Sequence, residues 1–548
     1  MPETFDAIVV GAGPNGLVAA NVLADAGWAV LVLEEQSVPG GAVRSDREVH
    51  PEYVNDLFSA FYPLAMASPA ISTLELHRWG LRWSHAPHVL AHPLADGRCA
   101  VLDRDRQRTA DNLDGFGSGD GEAYLRLVEV WDRLGPDVIR SLFAPFPPIR
   151  SSLALVAKAR AASGLRLMRM LTLPVRRLAE EEFTGQGGAL LLAGCALHAD
   201  FAPESTGSAG FGWLMSTLGQ QFGWPVPVGG AGALTDALVR RFHDKGGIVR
   251  SSERVDSVVV RNGRATGVVT EHGRQIRAAR AVLADVPAPA LYGGLVDWEE
   301  LPARLRDDMR RFQWDYATFK VDWALSGPIP WTAQAAAGAG TVHLADGLDH
   351  MTRFSAQLAT GQVPDRPFAL LGQMTTADPS RSPAGTESAW AYTHLPQHVR
   401  GDAGEGGLTG RWDPGEREIM ADRVEREVER LAPGFRNRIE ARRILAPPDL
   451  QARDANLMGG ALNGGTASLH QQAFLRPGPG TGRSETPIVG LYLASASAHP
   501  GGGVHGACGA NAARSALRSQ TAWRRHFAAP ALTALERAAA APRGLRGR

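Results

Sequence analysis

Residues 4–44, TFDAIVVGAGPNGLVAANVLADAGWAVLVLEEQSVPGGAVR, decide the fold. Ala7–Val10 is a short apolar, β-branched run of the kind that forms a buried parallel strand. It opens into Gly11-x-Gly13-Pro14-Asn15-Gly16 and a helical pattern through Leu17, Val18, Val22 and Leu23 that Gly27 closes. A second apolar strand follows at Ala29–Leu33 and ends in Glu34. A dinucleotide needs each part. Gly11 permits the tight turn, Gly13 lets the backbone approach a pyrophosphate, and Gly16 lets helix and strand pack closely. The positive end of the helix faces the phosphates, and the acid bonds a ribose hydroxyl. A lone GxGxxG is a weak signal; strand, glycines, helix, second strand and acid at this spacing form a strong one.

Working outward, Pro39-Gly40-Gly41-Ala42-Val43-Arg44 places paired glycines and an arginine directly after the acid. The bland reading is a turn with a solvated arginine. Far downstream, Leu491–Ala494 forms a strand that runs into Pro500-Gly501-Gly502-Gly503-Val504 and a small-residue helix. Glycines there let backbone N–H groups approach a flat ring, and the helix directs its positive end at it. His499 and His505 bracket this turn, with unperturbed imidazole pKa values near ~6.5 suited to accepting a proton.

At 548 residues the chain is too long for one core. Lys+Arg and Asp+Glu both total 57, which gives no electrostatic case for a nucleic-acid partner. Three isolated cysteines with no CxxC suit a reducing, cytoplasmic setting and exclude a redox-active disulfide. No apolar run approaches the ~18 residues of a membrane span.

In chain order, Asp56, Ser59 and Tyr62 stand in an aromatic segment expected near the cofactor, in hydrogen-bonding roles. His85, His88 and His92 have a spacing that invites a metal, yet no Cys, Asp or Glu completes the set, so hydrogen-bonded histidines are expected. Residues 121–222 read as helical. Within them ASGLRLMRMLTLPVRRL is basic and amphipathic, fitting either a peripheral membrane contact or an ordinary domain helix. Gly230-x-Gly232-x-x-Thr235 is a near miss to a second dinucleotide turn, with Thr235 for the third glycine and Arg250 where an acid is needed. RVDSVVV, Asn262-Gly263, ATGVVTE and QIRAARAVLAD read as an antiparallel meander. The segment GEREIMADRVEREVERLAPGF reads as a solvated cover helix.

With these residues in hand, the chain resembles the phytoene desaturase-related FAD oxidoreductases, in their phytoene dehydrogenase-like branch. The likeness runs from VVGAGPNGL through PGGAVRS, GWPVPVGGAGAL and FKVDWALSGPIPW to GLYLASASAHPGGGVHGACG. It implies an α/β fold of amine oxidase and phytoene desaturase type: a discontinuous Rossmann-like FAD-binding domain with a mixed α+β substrate domain. The FAD domain would be built from residues 1–75, 223–290 and 470–518, and the substrate domain from a helical part, 76–222, and a strand-rich part, 291–469; 519–548 is a tail. It implies non-covalent FAD held by Gly11, Gly13, Pro14, Asn15, Gly16, Glu34, Gly40, Gly41, Arg44 and Gly501–Val504, with Val255 offering main-chain atoms to the adenine. It also implies hydride removal from a C–C or C–N bond of a small apolar substrate; the lack of a complete second nucleotide motif points to oxygen or a quinone as acceptor. Of the flanking histidines, His505 is expected to be the base and His499 its alternative. VNDLFSAFYPL departs from true carotenoid desaturases, so a carotenoid is not assumed. A flavin amine oxidase and a non-enzymatic binder of prenyl groups remain the other readings.

Overall fold

The computed structural model describes residues 3–149 and 161–519. The tail expected from 519 onward therefore lies, beyond its first residue, outside the described residues.

Elements are named in chain order. The first are strand β1 (Glu3–Val10), helix α1 (Pro14–Asp25) and strand β2 (Val30–Leu33). Then come β3 (His88–Pro93), β4 (Cys99–Leu102), α2 (Asp120–Phe143), α3 (Ala161–Thr172), α4 (Gln186–Leu197), α5 (Ser208–Phe222) and α6 (Gly232–Asp244). β5 (Ile248–Arg250) precedes the meander β6 (Val255–Arg261), β7 (Arg264–Thr270) and β8 (Gln275–Ala284). After these come β9 (Ala317–Leu325), β10 (Ala339–Leu344), β11 (Ala369–Gln373), β12 (Glu387–Leu395), α7 (Pro414–Leu431), β13 (Ile439–Leu445), β14 (Leu491–Leu493) and α8 (Ala507–Ser519).

One sheet has the order β6-β7-β8-β1-β2-β5, with β14 pairing parallel to the C-terminal end of β8. Its central pairs are parallel, and their register brings Val10, Leu33, Ala284 and Leu493 to one level. The residues that follow, Gly11, Glu34, Asp285 and Ala494, therefore open together at the carboxyl ends of the strands, where doubly wound sheets bind ligands. Parallel strands buried on both faces read as continuous apolar runs, which is why IVV, VLVL and AVLA were legible. The segment 288–310 packs Leu291, Tyr292, Leu305 and Met309 against Ile8, Val10 and Val282 of this sheet. The apolar side chains of this segment match that face of the first sheet.

The second sheet runs β13-β9-β12-β11-β10-β3-β4, so residues 76–222 contribute two strands as well as helices. One face packs Phe319, Val321 and Trp323 under α7. α7 is not a solvated cover. Met420, Val424 and Val428 are buried, and so are Arg423, Glu425 and Glu427, which pair with Asp402, Arg442 and Arg366. The charge pattern along the helix hid this, because the partners come from distant segments. The other face carries Thr318, Lys320, Trp390, Tyr392 and His394, with Lys320 opposite Tyr392 and Thr318 opposite His394. Helices α2, α4 and α5 roof it with an apolar layer. Among the described residues no helix is long and apolar enough to cross a membrane.

Candidate active site and nucleotide site

The turn after β1 is braced from three sides. Gly11 N–H donates to the Leu33 carbonyl at 2.8 Å, and a φ of +93° is required there. Ala12 N–H donates to Glu34 Oε2 at 2.7 Å and Gln36 N–H to Oε1 at 2.9 Å. Each oxygen of Glu34 keeps a lone pair for a ribose hydroxyl. Burial pushes the Glu34 carboxyl up, while these N–H groups and Arg44 oppose the shift. Glu34 N–H donates to the Arg250 carbonyl and Glu253 N–H to that of Glu34, tying the start of β6 at Val255 to the acid.

The second glycine pair closes on the first. Gly40 N–H donates to the Ala12 carbonyl at 2.9 Å. Arg44 Nε donates to the Gly41 carbonyl at 2.9 Å and another guanidinium N–H to that of Arg453. Arg44 thus shapes the turn rather than standing free in solvent.

One cavity of about 620 Å³ joins the motifs. Gly13, Pro14, Asn15 and Gly41 line one end, and His499, Gly502, Gly503, Val504 and His505 line it as well. Beyond them it is walled by Phe61, Leu64, Phe143, Phe211 and Leu214, with Lys320, Trp390, Tyr392 and His394 from the second sheet. The Asn15 Oδ1 atom is buried with no hydrogen-bond partner, and so is His499 Nε2. Orphaned polar atoms cost free energy unless a ligand supplies the partner. A glycine cradle at a helix N-terminus, a buried acid with spare lone pairs and an apolar chamber beyond fit a dinucleotide carrying a flat ring.

The two histidines differ in their hydrogen bonding. His505 Nδ1 accepts the Ala507 N–H at 3.0 Å, so Nε2 carries the hydrogen and donates to the Gly501 carbonyl at 3.1 Å. Both ring nitrogens are used, leaving no lone pair for a substrate proton; His505 is a brace, and the expected base role does not fit it. His499 Nε2 is buried on the cavity without a hydrogen-bond partner. Burial pushes both rings down to about 4.

The three N-terminal histidines diverge to separate partners: His85 to the Phe222 carbonyl, His88 to Asp103, and His92 to the Ala345 carbonyl. Asp56 and Ser59 are structural as expected. Asp56 pairs with Arg381, and Ser59 bonds the Ala42 carbonyl and Tyr62. The near-miss turn at Gly230 is closed from within: Ala231 N–H donates to Asp56 Oδ1 at 2.7 Å, Gly232 N–H to Ser45 Oγ at 3.0 Å, and Thr235 Oγ1 to the Val43 carbonyl at 2.7 Å. The N-terminus of α6 is filled by the protein itself.

Sequence reasoning passed over four groups. Asp285, only 3% exposed, accepts the Gly16 N–H at 2.7 Å through Oδ2. Asp454 lines the cavity, pushed up to about 6 by burial. Lys320 donates to the Asp56 carbonyl, pairs with Asp322 and faces the Trp390 ring, its pKa lowered by burial. Arg476, fully buried, donates to the carbonyls of Asn463, Thr466 and Ala496 and pins the 463–466 loop to the end of β14. An acid ending the apolar strand next to GxGxxG, and a lone lysine in FKVDWAL, were the available signals; Arg476 had none.

Residues 9–91 match the model of an NAD(P)-binding Rossmann-like domain. The chain is 30% identical over 559 residues to pyridine nucleotide-disulfide oxidoreductase domain-containing protein 2 of Rattus norvegicus, covering 94% of each. It is 25% identical to the lycopene-forming phytoene desaturase of Pseudescherichia vulneris, covering 91% of this chain and 96% of that one. In structure it is similar to cyclohexylamine oxidase from Brevibacterium oxydans IH-35A, with a TM-score of 0.55 at 17% identity over 94% and 98% of the two chains. A shared architecture with amine oxidases, together with full-length likeness to the rat protein, leads to one conclusion: the chain belongs to the family of pyridine nucleotide-disulfide oxidoreductase domain-containing protein 2, within the phytoene desaturase-related oxidoreductases.

Proposed function

We propose that the protein is an FAD-dependent oxidoreductase that removes hydride from a C–C or C–N bond of a small apolar molecule. The observation that carries this reading is the single cavity lined at once by Gly13–Asn15, Gly41 and Gly502–Val504 and continued by apolar side chains. When bound, FAD supplies the two-electron acceptor. Glu34 would hold a ribose, Gly13–Gly16 the pyrophosphate, and the Gly501–Val504 turn the ring. The chain's own contribution is to exclude water, orient the C–H bond and take up the proton. His499 is the group placed for that last task, its Nε2 unpartnered on the cavity and its ring neutral but only weakly basic. Arg476 adds a buried positive charge to the cavity wall, pushed down to about 10 by burial yet protonated at neutral pH, which favours electron-rich species.

Trp390 and Tyr392 lie 5.8 Å apart and stacked, in contact with each other. That leaves no slot for an amine between them, so the amine oxidase reading gains nothing from this pair. Oxygen or a quinone is the acceptor class we favour, since the Gly230 turn spends its amides on Asp56 and Ser45. Exposed Leu165 and Met168 flank Arg166 on α3 and fit a peripheral contact with an anionic lipid surface.

The test is the visible spectrum of the purified protein, with mass spectrometry of the released chromophore and anaerobic bleaching by candidate apolar substrates. A colourless protein that fails to take up added FAD would sink the reading.

A further inference from the structure

The Gly16 N–H, an amide that a pyrophosphate would use at the start of α1, already has an acceptor in Asp285 Oδ2 at 2.7 Å. The same oxygen would lie 2.7 Å from a Cβ on Gly13, so the carboxyl sits over the Gly13–Gly16 turn, and Asp285 lines the cavity. Its backbone is fixed, with Asp285 N–H donating to the Val10 carbonyl and Asn456 Nδ2 to the Asp285 carbonyl. Two further acids act on it through their charge, Glu34 at the end of β2 and Asp454 in the segment after Leu450. Cys508 approaches from α8 as a neutral thiol, pushed up to about 12. Arg44 acts on Glu34 and Asp454 from behind. A pyrophosphate brings two negative charges into this group of carboxyls, and an ionised Asp285 would compete with it for the helix N-terminus at short range.

We propose that Asp285 is a proton-operated gate on the nucleotide site: the pyrophosphate of FAD seats against α1 only when the Asp285 carboxyl carries its proton, which it then donates as an O–H bond to a phosphate oxygen. This rests on the FAD reading above. Burial pushes the Asp285 carboxyl up to about 8, with Asp454 and Glu34 adding to the rise and the Gly16 N–H opposing it. Below that pH the gate is open. Above it, each FAD that binds must bring one proton with it, and affinity falls about tenfold per pH unit.

The experiment is FAD titration of deflavinated protein from about pH 6 to about pH 9.5, for wild type and Asp285→Asn, followed by flavin fluorescence. Asn keeps an oxygen for the Gly16 N–H and has no charge to lose. The wild-type Kd should be flat to about pH 8 and then rise about tenfold per unit, while the Asp285→Asn Kd stays within about twofold throughout. Parallel profiles for the two proteins overturn the gate. Calorimetry on the wild type alone, in two buffers of different ionisation enthalpy near pH 9, should show about one proton taken up per FAD bound; zero uptake overturns the gate even where the variant is unfolded. A wild type that binds no FAD at any pH overturns the cofactor reading instead.

Discussion

Gly41 packs onto Gly13 so closely that a Cβ at position 41 would lie 3.0 Å from Gly13 Cα. Two turns from separate motifs thus present bare backbone to each other and to the cavity. Gly13 has an ordinary φ of −68°, so a larger residue there is tolerated by the backbone but not by the space. Gly13→Val should fold, judged by its circular dichroism, and purify without flavin. Full FAD occupancy in that variant would place the phosphates elsewhere.

His499 and His505 should separate cleanly by mutation. His499→Ala removes the free Nε2 and should bind FAD while slowing its anaerobic reduction by substrate ~10²-fold or more. His505→Ala instead strands the Ala507 N–H and removes one of two donors to the Gly501 carbonyl, costing about 1–3 kcal/mol of stability and loosening flavin binding. Because burial holds His499 near about 4, it is neutral above that pH, and its role gives no pH dependence of flavin reduction between about pH 5 and about pH 7. Unchanged reduction by His499→Ala would mean that no protein base acts there.

Arg381 is fully buried between Asp56 Oδ2 at 3.0 Å and Asp378 Oδ2 at 2.9 Å. Arg381→Met leaves two buried carboxyls facing each other without a counter-charge, and should cost about 3–5 kcal/mol in urea unfolding. A loss below about 1 kcal/mol would show that water or protonation compensates.

Acid should destabilise the protein from pH ~6.5 downward. Burial pushes His92 and His394 down to about 4 and His198 to about 3, whereas unfolded histidine titrates near ~6.5. Above ~6.5 neither state binds these protons. Below it the unfolded chain does and the fold does not, so each ring withdraws ~1.4 kcal/mol per pH unit until its folded pKa is reached. Urea midpoints at about pH 7, 6 and 5 should fall in that order, and His92→Gln should reduce the slope. A flat profile would contradict the burial of these rings.

The strand–glycine–helix unit, the meander and the second glycine turn were legible because their signals are local: spacing, β-branching and turn residues. The wall formed by residues 58–64 was also foreshadowed, by an aromatic run. What stayed hidden depends on partners far along the chain. No local pattern shows that Asp285 reaches Gly16, that both nitrogens of His505 are taken, or that Arg423 and Glu427 of α7 are buried against Asp402 and Arg366.

α8 lies so tightly on α1 that a Cβ on Gly509 would fall 1.8 Å from the Asn15 carbonyl oxygen, and β14 completes the parallel sheet beside β8. During synthesis, the ribosome makes α1 hundreds of residues before the strand and helix that lean on it. The nascent chain therefore carries an unfinished parallel sheet and an uncovered α1 until these last segments have left the exit tunnel.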